Sequence, residues 1–137
     1  MGNFDKINAL PDCMEPSDLR VFFIEVLNDD RKNTYSKLEI AKALWELSDR
    51  QWHTYKLIDN ELKILLVDWV TRSWDLLPLD KLHYIIGICS MLGIREGLEL
   101  LDKTIGKISD QALKEKFAQK RIHLAKKVTD PFFTLKE

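Results

Sequence analysis

Apolar residues recur in this chain at intervals of three and four, through one segment after another. Nowhere do β-branched residues alternate with polar ones between turn signals. A period of 3.6 gathers such residues on one face of a helix, so the sequence is read as all-α. Six or seven helices in consecutive antiparallel hairpins are expected. The chain has 137 residues, 45 % of them hydrophobic, and at that length one core forms without disulfide or metal staples. A single domain over 1–137 follows, with a helical body at 17–128 and irregular termini at 1–16 and 129–137.

The first helix is expected after Pro16, with Ser17 as N-cap and Leu19, Phe22, Phe23, Val26 and Leu27 on its inner face, ending at Asn28-Asp29-Asp30. A second, over 35–48, presents Leu38, Ala41, Leu44, Trp45 and Ser48, and WHTYKLI is read as a short helix after it. Asp59 or Asn60 caps a strong helix burying Leu62, Leu65, Leu66, Trp69 and Val70, which Pro78 stops. Asp80 starts a helix apolar nearly all round, the mark of burial between neighbours. Gly93 suits its C-terminal left-handed position, and the short link to the next helix, Ile94 to Ile108, sets the two antiparallel. Gly87 and Gly97 are expected to let that hairpin close tightly. Ser109 opens a last helix running to about Val128, before the tail PFFTLKE.

Twenty-one Lys and Arg face 22 Asp and Glu, for a formal net charge of −1. Long-range attraction to nucleic acid or anionic lipid is therefore weak. The charge is unevenly placed: residues 1–80 carry 15 acids and 10 bases, residues 110–137 carry 4 acids and 7 bases. No apolar run reaches the roughly 18 residues of a membrane span, and the N-terminus lacks the basic flank and apolar core of a signal. Cys13 and Cys89 make neither a CxxC nor a disulfide framework, so a cytoplasmic location is expected. His53, His83 and His123 fall on three different elements without the close ligand pair a zinc site needs. Cys89 sits late on an apolar stripe and reads as a buried, inert thiol. No catalytic residues, cofactor or metal are expected, and the chain is read as a binding protein and not an enzyme.

Glu61, Asp68 and Asp75 repeat every seven residues along one helix stripe, and Glu96, Glu99 and Asp102 form a second. Solvated stripes lack the pocket that shifts a carboxylate pKa for acid–base work. They serve solubility or the docking of a basic partner. Trp45 and Trp69 lie on core stripes, whereas Trp74, beside Asp75, is a candidate aromatic anchor, since exposed Trp is enriched at binding hot spots.

A second reading comes from residues 36–57, whose rhythm is that of a helix-turn-helix DNA-binding regulator. It would place Arg50, Gln51, His53 and Lys56 on the reading helix. Trp45 where a small turn residue belongs, the absence of a β-branched anchor and the acidic body all count against it.

The segment LDKLHYIIGICSMLGIREGLELLDKTIGKI resembles a HEAT-type helical hairpin. Three such hairpins would stack as a compact α-solenoid-type array. Through its size, acidic body and IIGICSMLGIREGLELL hairpin, the chain also resembles the small all-helical immunity proteins of bacterial contact-dependent inhibition and related polymorphic-toxin systems, chiefly over 60–108. That resemblance implies a cytosolic protein that binds one cognate toxin domain, often a nuclease, and covers its active site. The face expected to do so carries Glu61, Asp68, Asp75, Trp74, Glu96, Glu99 and Asp102.

Overall fold

The computed structural model describes residues 7, 9–11, 13–33 and 35–129. Among them are six α-helices and no strand: α1 (Pro16–Arg31), α2 (Lys37–Trp52), α3 (Asn60–Ser73), α4 (His83–Leu92), α5 (Glu96–Lys107) and α6 (Gln111–Thr129). Two 3-10 turns, Trp74–Leu76 and Leu79–Lys81, link α3 to α4. The all-α class and the helix number agree with the apolar periodicity.

Each helix begins and ends for a local reason. Pro16 opens α1, where its missing N–H costs nothing, so Glu15 takes the cap position and Ser17 lies inside the helix. Ser36 caps α2 by accepting a hydrogen bond from the Glu39 amide at 3.1 Å. Asp59 caps α3 through the Leu62 amide at 2.8 Å. Gly93 ends α4 at φ 71°, a left-handed conformation that is cheap only without a Cβ.

Several boundaries differ from the sequence expectation. α4 starts at His83, with Asp80 in the 3-10 turn before it. Asp110, not Ser109, caps α6 by accepting from the Ala112 amide at 3.0 Å. α1 continues to Arg31, and Asp30 is not a solvated terminus but a buried residue. Its carboxylate lies 3.0 Å from Lys37 Nζ and 3.6 Å from Arg72 Nη1, tying together α1, α2 and α3. α2 runs on to Trp52, and WHTYKLI is not a helix. Gln51 Nε2 donates to the Lys56 carbonyl at 2.8 Å and Thr54 Oγ1 to the Gln51 carbonyl at 2.7 Å. Those bonds fold the segment into a turn, with Tyr55 at φ 61°.

Packing runs chiefly between alternate helices. α2 rests on α1 and α4, α4 on α2 and α6, while α3 sits between α1 and α5, and α5 closes on α6. The helices thus form two rows, α1-α3-α5 and α2-α4-α6, as in stacked hairpins. α4, with Ile85, Ile88 and Cys89 fully enclosed, occupies the middle of the second row, which accounts for its all-round apolar surface. Leu19, Phe23, Leu44, Leu66, Trp69 and Leu124 fill the space between the rows. Ile7 is buried with them.

The glycines divide differently from the expectation. A Cβ on Gly97 would stand 2.8 Å from Cys89 Sγ, so Gly97 permits the α4–α5 contact. A Cβ on Gly87 would instead meet the Trp45 ring at 2.6 Å, so Gly87 serves the α4–α2 contact and not the hairpin. At the C-terminal end, Thr129 closes α6 and does not start a tail, and residues 130–137 lie outside the described residues.

Candidate functional site

The two acidic stripes fall on neighbouring elements of one row: Glu61 and Asp68 on α3 with Asp75 in the 3-10 turn after it, and Glu96, Glu99 and Asp102 on α5. At the start of α3, Arg20 reaches across from α1. Its Nε donates to Asp59 at 2.8 Å and its Nη2 to Glu61 at 2.6 Å. The Leu62 amide first, and Arg20 second, hold the Asp59 carboxyl below its ordinary range, and the same carboxylates push the Arg20 guanidinium up. One turn short of the helix end, Arg72 Nε donates to Asp68 at 2.8 Å. On α5, Glu99 lies 3.9 Å from Lys103, and Asp102 accepts from Arg121 of α6 at 2.9 Å.

Four of the six stripe carboxylates therefore have a cation close by. Asp75 and Glu96 are exposed with no ion pair among the described residues. Solvent-exposed pairs of this kind are worth about 0–1 kcal/mol each, so they exchange readily for a partner's cations. Asp75 and Glu96 remain as open charges, and the four paired carboxylates become available when their cations are exchanged.

Trp74 is not part of that face. It is only 3 % exposed, and its Nε1 donates to Thr104 Oγ1 at 2.8 Å, joining the ends of α3 and α5. Trp74 keeps helical φ and ψ and its N–H still donates to the Val70 carbonyl, so the ring follows Val70 onto the core side while Asp75 and Leu76 turn outward. The exposed apolar side chains are aliphatic. Ile64, at 69 % exposure, sits between Glu61 and Asp68 on the same stripe, and Leu76, at 56 %, adjoins Asp75. Ile64 was legible as a candidate, because it lies off the Leu62-Leu66-Trp69 core stripe. Leu76 was not, because its direction depends on the turn.

The residues of the helix-turn-helix reading do not form that motif. Arg50 and Gln51 continue α2 without an intervening turn, and both are buried. Arg50 is held by Glu46 at 2.8 Å and by the Leu10 carbonyl at 3.0 Å. His53 and Lys56 lie in the turn that follows.

The remaining reactive groups are spread apart. Burial, with the Glu96 charge adding to it, pushes the Cys89 thiol up to about 12, so it stays protonated and unreactive. His53 and His83 bond their own helix regions, through Asp49 O and Asp80 O. Partial burial, then Lys127 and Lys126, lower the His123 pKa. Among the described residues no group of His, Cys, Asp and Glu is placed to hold a metal, and no helix is long and apolar enough to cross a membrane. No known family model, curated protein or solved structure matches the chain.

Proposed function

We propose that this chain is a protein-binding module of the immunity type, which neutralises a cognate toxin domain by laying the α3–α5 face over its active site. The observation that carries the reading is that two neighbouring elements each expose three carboxylates, Glu61, Asp68 and Asp75 along α3 and the turn after it, and Glu96, Glu99 and Asp102 along α5. A nuclease toxin presents a basic groove for phosphates. An acidic face steers association toward such a groove and occupies the place of the substrate charge. Ile64 and Leu76 supply apolar contact area within that face, the part earlier given to Trp74. Cytoplasmic action and the absence of catalysis belong to the same proposal.

The test is co-expression with the C-terminal domain of the large protein encoded immediately upstream. Rescue of growth from a toxic domain, with a stable one-to-one complex, is the expected result. The absence of both toxicity and a complex would overturn the reading. Within a complex, reversing Asp68 and Asp75 to Lys should slow association by about tenfold at low salt and flatten its salt dependence. Unchanged association in that double variant would remove the site assignment while leaving the immunity reading in place.

A further inference from the structure

Two adjoining cavities of about 460 and 520 Å³ share Leu79 and Leu113 and open along one side of the molecule. Together they make a groove between the 3-10 turns after α3 and the first half of α6. The floor is apolar: Leu77, Leu82 and Ile108 underlie one lobe and Phe117 the other. Leu79 stands 42 % exposed at the junction.

The walls are charged in opposite senses along their length. The first lobe carries Asp75 and Asp110 with Lys107, and the second carries Lys116 and Lys120 with Asp80 and His83. Neither Lys116 nor Lys120 has an ion pair among the described residues. From the residue before α6 along the helix, the lining runs acid, aliphatic, base: Asp110, Leu113, Lys116, Lys120. From Asp110 to Lys120 is about 15 Å along a helix axis, so an extended segment of roughly five to seven residues spans the groove with its charged side chains at the two ends.

We infer that this groove docks an extended peptide segment of a partner protein. The segment has a basic residue at its Asp75–Asp110 end, aliphatic residues over Leu79 and Leu113, and an acidic residue at its Lys116–Lys120 end. An amphipathic anion such as a fatty acid would match the basic lobe and leave two carboxylates facing its chain, whereas a peptide of graded charge matches both ends. The groove is open along its side, as an extended backbone that keeps its own amides solvated requires. Side chains on alternate residues would point into it. This inference needs no toxin and shares only Asp75 with the proposed toxin face, so its peptide test stands or falls separately from the immunity reading.

The experiment uses the full chain, labelled with nitrogen-15, and two capped peptides of the same composition, KSLSLSE and ESLSLSK. Each places its charged and leucine residues on one side of an extended strand, with opposite polarity. KSLSLSE should shift the amides of Leu79, Leu113 and Lys116, and should bind roughly fivefold more tightly than ESLSLSK. The double variant Lys116→Glu, Lys120→Glu should abolish or invert that preference, with its far-UV circular dichroism unchanged. Equal affinity for the two peptides, shifts elsewhere on the surface, or a preference that survives the double variant would overturn the inference. Shifts in the second lobe alone, matched by octanoate, would overturn it in favour of a small amphipathic anion.

Discussion

Trp74 stands where two helix ends meet, and its burial gives it a stabilising role measurable without any partner. Trp74→Ala should destabilise the fold by about 3–5 kcal/mol in urea unfolding, the usual cost of emptying an aromatic site. Trp74→Phe keeps most of the ring, and Thr104 Oγ1 retains its own bond to the Leu100 carbonyl at 3.0 Å. That variant should lose only about 1–2 kcal/mol. In any complex formed through the α3–α5 face it should bind as the native chain does, as expected of a residue that supports the face from behind. The glycines give a second pair of expectations. Gly97→Ala must force a Cβ to within 2.8 Å of Cys89 Sγ, an overpacking cost of about 1–3 kcal/mol. Gly106→Ala meets nothing within 4 Å and should stabilise α5 by about 0.5 kcal/mol through helix propensity. Thermal unfolding of the two variants should move in opposite directions.

At the scale of the helices, side chains at the ends carry as much of the architecture as the apolar stripes do. Asp59 is the clearest case, because it both caps α3 and receives Arg20. Its carboxyl is held down in the fold, so the unfolded chain binds the proton more readily. The stability it contributes is present above the unfolded value near 4 and is lost as pH falls through that value toward the folded one. Asp59→Asn keeps a good cap and should therefore show a shallower fall in urea midpoint between about pH 5 and pH 3. Legibility followed the same division. α3, α4 and α5 could be read from periodicity and from Gly93, because their partners are apolar stripes. The end of α2 could not: Gln51 and Thr54 look like residues of a polar helix, yet their side chains bond the turn itself. The start of α1 lies one residue earlier than expected, because proline fits the first helical position and Glu15 takes the cap. Of the candidate site, the carboxylates were legible because helical spacing fixes their side. Trp74, four residues after Val70, follows it into the core by the same spacing, and only its neighbour Asp75 belongs on the exposed side.

At the scale of the molecule, the two rows separate the charges that the totals conceal. α6 alone carries six Lys and Arg against Glu115, while α1, α3 and α5 together carry nine acids against six bases. The pair between Asp102 and Arg121 marks the border where the acidic row meets α6. A chain of net charge −1 and sequence pI near 6.3 is therefore a strong electric dipole and not an electrically bland sphere. Near neutral pH and low salt it should be retained by both an anion-exchange and a cation-exchange resin, each gripping a different side. Reversing Lys116 and Lys120 should release it from the cation exchanger while strengthening its hold on the anion exchanger. In an external field gradient, such as the mouth of a charged cleft, the molecule arrives already turned, so that collision and orientation become a single event.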